Sequence, residues 1–232
     1  MHTKNLLDSL CRGLALCTLV YVFQIPSGVS AQTSASTTET LVFVRHGEKP
    51  ATVDDGQLTC QGFNRSVGLA SVLVTKFGMP NYLFAAAPVE DQDDAGNNYY
   101  YLRALATIEP TAVIAGQTIN LKYGKDDIDD LESELMKSQY ATSTVFVAWE
   151  HDEMDELVAN IVHDNDGDSS VVPAWPDDDY DSIFLVVLER NGGTTSVAFT
   201  HDYEGLNNLS SACGSASPHF SRVYGPPPPK RS

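Results

Sequence analysis

The apolar run Leu41-Val42-Phe43-Val44 leads straight into Arg45-His46-Gly47-Glu48. Four consecutive apolar residues suit a strand buried on both faces, the kind found in parallel sheets covered by helices. Such a strand delivers its last side chains to the carboxyl edge of the sheet, where open α/β folds bind ligands. Gly47 permits a sharp turn there and brings main-chain amides close to an anion. Arginine beside histidine joins a permanent cation that matches phosphate oxygens to a nucleophile that attacks when neutral.

The rest of the chain alternates in the same sense. Strands are expected at 40–45, 82–86 and 144–149, with a short one at 118–122. Helices are expected at 58–77, from Tyr99 through Val113, at 128–136 and at 155–162. Residues 183–189 and 194–200 flank Asn191-Gly192-Gly193, a hairpin signal. The prediction is an α/β fold, a three-layer α/β/α sandwich with a mostly parallel sheet and an antiparallel C-terminal edge. Thr59 caps the first helix, whose Phe63, Val67, Ala70, Val74 and Phe77 are expected to form the buried stripe. Arg65 falls on roughly the opposite side and reads as solvated or loop-bridging. Pro110 is expected to kink its helix or start a new one. Residues 88–98 read as an acidic loop.

The ends carry separate messages. Lys4 and Arg12 precede an apolar stretch, 13–25, and the small-residue pattern Val29-Ser30-Ala31, so residues 1–31 read as a secretory signal. The apolar stretch is too short for a stable membrane span. Residues 32–39 read as a flexible lead-in, 40–217 as a single catalytic domain and 218–232 as a Pro-rich disordered tail. Export to a periplasmic or extracellular space leaves Cys60 and Cys213 as the two remaining cysteines, and an oxidising compartment favours their pairing over two separate thiols. The net charge of −17 argues against a nucleic-acid partner. A phosphate site in so acidic a chain needs a local positive pocket.

Such a pocket is available. Three strands end near Arg45-His46, near Arg103 and at His151, on what a parallel sheet makes one edge. Two arginines and two histidines there fit a phosphoryl group: forked N–H donors for its oxygens, one imidazole to attack, one to donate a hydrogen bond. Arg45-His46-Gly47-Glu48, Leu58-Thr59 with Gly62, Arg103-Ala104 with Thr107, and Trp149-Glu150-His151 together resemble the motifs of the histidine phosphatase superfamily, its phosphoglycerate mutase-like branch. The resemblance implies an exported phosphohydrolase acting on phosphate monoesters of small molecules through a phosphohistidine on His46, with no cofactor or metal. It places Arg45, His46, Gly47, Glu48, Arg103 and His151 around the phosphate. Asp152 would be the proton donor, as in the acid-phosphatase branch, with Glu90 and Asp91 as rivals and a helix first-turn role as the other reading of Asp152. The alternative is a non-catalytic phosphate- or phosphoester-binding module on the same fold. The acidic run 164–168 lacks the glycine position and distal glutamate of a calcium loop. Asp177-Asp178-Asp179 reads as surface. Neither substrate identity nor oligomeric state is legible.

Overall fold

β1 (Thr37–Arg45) organises the molecule. Its residues Leu41 to Val44 are fully buried, as an uninterrupted apolar run requires. The computed structural model describes residues 35–52, 55–92 and 96–214; the expected signal 1–31, the start of the lead-in and the tail 218–232 lie outside the described residues. β1 pairs in parallel with β6 (Thr144–Trp149), with Val42 opposite Phe146 and Arg45 opposite Trp149. On its other side it pairs antiparallel with β7 (Ser182–Asn191). β7 turns through Gly192 and Gly193, both at positive φ, into β8 (Thr194–Tyr203). β2 (Tyr82–Ala85) lies beyond β6 and pairs with β5 (Ile119–Asn120). The sheet order is therefore β5-β2-β6-β1-β7-β8, parallel in its first four strands and antiparallel at the C-terminal edge.

Four α-helices among the described residues complete the layers. The chain moves outward from β1 to β2 to β5 through α1 (Cys60–Phe77) and α2 (Arg103–Ala115), then returns to β6 through α3 (Ile128–Leu135). Right-handed crossovers put outward and return helices on opposite faces. Accordingly α1 packs on α2, and α3 on α4 (His151–Asp164). A disulfide joins Cys60, at the start of α1, to Cys213.

Several local expectations need correction. β1 begins at Thr37, three residues early, because Thr37, Thr38 and Glu39 continue its ladder with β7. Residues 88–98 are not simply a loop, and Tyr99 is not helical. A small hairpin forms from β3 (Glu90–Gln92) and β4 (Asn98–Tyr100), with Asp91 opposite Tyr99. Consecutive tyrosines favour extended backbone, and the helix waits until Arg103. α2 then runs without interruption through Pro110. α4 starts four residues early, where the Glu150 carboxylate accepts a bond from the Asp152 amide.

The first helix is rotated from its expected phase. Phe63 and Val67 are more than half exposed, while Gly62, Arg65, Ser66, Leu69, Ala70 and Leu73 face inward. The reason is a backbone contact. A Cβ on Gly62 would lie 2.6 Å from the Glu48 carbonyl oxygen, and one on Gly47 would lie 2.8 Å from the Gly62 oxygen. The two glycines let α1 sit directly on the loop after β1, and this fixes which side faces in.

Candidate active site

The site stands at the carboxyl edge of β1 and β6. Arg45 ends β1, and the His46 amide donates to the Trp149 carbonyl across the strand gap (3.0 Å). His151 therefore begins α4 one strand away, and Arg103 begins α2. Thr107 ties these parts together. Its Oγ1 accepts from the Gly47 amide (2.8 Å) and donates to the Arg103 carbonyl (2.8 Å), so the turn after His46 is pinned to the first turn of α2.

His46 is wholly buried. Its Nδ1 lies 2.7 Å from the Gly47 carbonyl, which can only accept, so Nδ1 carries the hydrogen and Nε2 the lone pair. Nε2 is buried without a hydrogen-bond partner among the described residues. Burial, reinforced by the charges of Arg103 and Arg45, lowers the pKa of His46 to about 3 against the pull of the Gly47 bond. The ring is thus a neutral base with one free nitrogen.

The cations flank it through tyrosines. The Arg45 guanidinium lies 4.1 Å from the Tyr180 ring, and that of Arg103 4.8 Å from the Tyr101 ring. Both rings are 6.1 Å from the His46 ring. Arg45 is aimed by one nitrogen. Its Nη1 donates to the carbonyls of Pro176 (3.3 Å), Asp177 (2.7 Å) and Asp179 (2.9 Å). Its Nε is buried and without a hydrogen-bond partner among the described residues.

His151 has opposite chemistry. Nδ1 is 2.5 Å from Glu150 Oε1 and Nε2 is 3.0 Å from Asp177 Oδ1. Burial disfavours the charge, but the two carboxylates outweigh it and raise the pKa. Burial likewise opposes ionisation of Glu150, and His151 overcomes it, holding that carboxyl at about 2. The imidazolium is thus a donor at both nitrogens. Glu150, His151 and Asp152 bring metal-ligand atoms within 4.8 Å of one another. A doubly protonated imidazole has no lone pair to give a cation, so the trio suits an ion pair better than a metal.

The remaining expected residues divide. Asp152 is largely exposed, with Oδ1 3.5 Å from His151 Nε2. Glu90 accepts from Asn98 on the hairpin, and Asp91 accepts from the Tyr99 hydroxyl and lies 3.7 Å from Lys125. Glu48, expected at the phosphate, instead gives its carboxylate to Arg65 (2.9 Å). Arg65, read as solvated or loop-bridging, is 1% exposed and bridges to the loop that holds Glu48. Glu150, Tyr101 and Tyr180 were not anticipated at the site. Asp177 was read as surface, and its side chain is indeed exposed, but it reaches His151.

No family model matches the chain, and no curated protein does. Solved structures do resemble it. Phosphoglycerate mutase from Plasmodium falciparum aligns at 12% identity over 70% of this chain and 89% of its own, with a TM-score of 0.46. A mycobacterial glucosyl-3-phosphoglycerate phosphatase aligns at 14% identity over 71% of this chain and 97% of its own, also at 0.46.

Proposed function

We propose that the chain is an exported phosphatase that cleaves small phosphate monoesters through His46. One observation carries this reading: two buried polar atoms, His46 Nε2 and Arg45 Nε, have no hydrogen-bond partner among the described residues. Buried polar groups are ordinarily satisfied, and exceptions concentrate where a ligand completes them. An unpartnered imidazole nitrogen and an unpartnered guanidinium N–H on consecutive residues, whose side chains both approach the Tyr180 ring, suit an electrophile carrying anionic oxygens, which a phosphoryl group is.

In the proposed reaction Nε2 attacks phosphorus in line with the ester oxygen. The P–N bond forms as the P–O bond breaks. Arg45, Arg103 and His151 balance the charge on the equatorial oxygens. The leaving oxygen takes a proton from Asp152, whose Oδ1 lies 3.5 Å from His151 Nε2, with Glu90 and Asp91 on the β3–β4 hairpin as the alternatives. Water then attacks the phosphohistidine: its proton returns to the Asp152 carboxylate, the new P–O bond forms as the P–N bond breaks, and phosphate leaves with His46 neutral again. Export is supported by the Cys60–Cys213 disulfide, which persists in an oxidising compartment.

The test is hydrolysis of an activated aryl phosphate by the purified protein and by His46→Ala. Turnover that disappears with His46 supports the proposal. Phosphate binding without turnover in the native chain would instead favour a binding module on the same fold.

A further inference from the structure

The segment from Trp175 to Ser182 crosses the site as a strap with firm feet. Trp175 is buried against Phe184 at 4.4 Å, and its amide donates to Asp155 Oδ2 (2.9 Å). At the other foot, Asp179 Oδ1 accepts from the amides of Asp181 (2.8 Å) and Ser182 (3.2 Å), while its carbonyl accepts from Trp175 Nε1 (2.9 Å) and Arg45 Nη1 (2.9 Å). Between the feet, the Asp177 carbonyl also binds Arg45 Nη1. The strap's backbone is therefore part of what aims Arg45. The Asp177 side chain is different: it is 95% exposed, and its carboxylate holds His151 Nε2 at 3.0 Å. Rotation about its own side-chain bonds releases His151 without breaking any backbone bond of the strap.

We propose that Asp177 is an internal anion that occupies the His151 donor in the free protein, and that a phosphoryl group binds by displacing it. The inference rests on the phosphatase reading of the site. That reading gives His151 to a phosphoryl oxygen; with Nδ1 committed to Glu150, Nε2 is the donor left for it, and one donor nitrogen cannot serve both acceptors in full. The displaced carboxylate is also a like charge beside the incoming dianion. Asp177 therefore sets a threshold: weakly held oxyanions are refused, and a phosphoryl group gripped also by Arg45 and Arg103 is admitted.

The experiment is calorimetric titration of the full chain with orthovanadate, and separately with inorganic phosphate, for the native protein, Asp177→Asn, Asp177→Ala and Asp178→Asn. The last removes the same unit of net charge from the neighbouring exposed residue and controls for the general field. Both Asp177 variants keep the backbone carbonyl that aims Arg45. They are expected to bind vanadate about three- to tenfold more tightly, with KM falling more than kcat changes, while Asp178→Asn stays within about twofold. Equal or weaker binding in both Asp177 variants, with native binding intact, overturns the displacement and leaves the phosphatase reading standing. Tightening of the same size in Asp178→Asn overturns it too. Absence of vanadate and phosphate binding in every form, native included, removes the phosphatase reading and this inference with it.

Discussion

Arg65 Nη2 lies 2.9 Å from Glu48 Oε1, and this buried pair joins the first helix to the loop that carries His46. The same guanidinium reaches Glu204 at 2.5 Å and Asp181 at 3.5 Å, so one cation meets three carboxyl groups drawn from the loop after β1, the foot of the strap and the end of β8. Removing one member of a buried charge network costs more than the network itself contributes, because the partners are left uncompensated. Arg65→Met is expected to lose about 3–5 kcal/mol of stability, read as a fall in the urea midpoint. Arg65→Lys keeps the charge but not the fork, and should recover only part of the loss.

Gly62 is predicted to tolerate no side chain. An alanine Cβ would stand 2.6 Å from the Glu48 carbonyl oxygen and 2.7 Å from its amide nitrogen, both backbone atoms. Overpacking of this kind costs about 1–3 kcal/mol, and here relief requires moving the turn that positions His46. Gly62→Ala should lower both the thermal midpoint and kcat. Gly68→Ala, whose Cβ meets only Leu206 side-chain atoms at 3.4 Å, is the matched control and should lower neither appreciably.

The pH profile of turnover follows from two imidazoles poised in opposite senses. His46 must be neutral, and its pKa of about 3 keeps it so through the acid range. His151 works charged, and its pKa is raised above 6.5. Activity is expected to fall on the acid side as His46 gains a proton, and on the alkaline side as His151 and the proton donor to the leaving group lose theirs. A rate profile in kcat/KM reads both limbs. Asp177→Asn should move the alkaline limb to lower pH.

Stability carries its own pH signature. Burial, against the opposing charge and hydrogen bond of Arg65, raises Glu204 to about 8, with Asp181 and Glu48 adding to the rise. The folded chain therefore holds a proton that the unfolded chain releases near 4.5. This contribution is complete below 4.5, declines as pH rises, and is gone above about 8. Urea midpoints across that window should fall, and Glu204→Gln should flatten the slope.

Reduction of the Cys60–Cys213 bridge is expected to cost about 2–4 kcal/mol. It fastens the start of α1 to the segment that follows β8. Comparing denaturation with and without a thiol reductant measures it, and the Cys60→Ser, Cys213→Ser double variant should match the reduced protein.

The common edge that carries Arg45, His46 and His151 was legible because β1 ends at Arg45 and His151 follows the end of β6 by two residues. Position along a parallel strand already places them on one edge. The phase of α1 was not readable. Phe63 and Val67 are the larger apolar residues, yet the contact of Gly62 with Gly47 turned Arg65 inward and left them outside. Tyr99 reads as the start of the helix that runs through Val113, but the β3–β4 ladder claims it. Asp177 and Tyr180 were out of reach for a different reason. They meet Arg45 across more than 130 residues of chain, through backbone carbonyls and an aromatic face that leave no periodic mark.

The most direct measurement is capture of the intermediate. Native protein mixed with a fast-reacting aryl phosphate, quenched in alkali to protect a phosphoramidate, is digested and mapped by mass spectrometry. The account predicts a phosphate adduct on His46 that forms and decays at rates compatible with turnover, and none in His46→Ala. Steady turnover with His46 never modified, or unchanged turnover in His46→Ala, would contradict it.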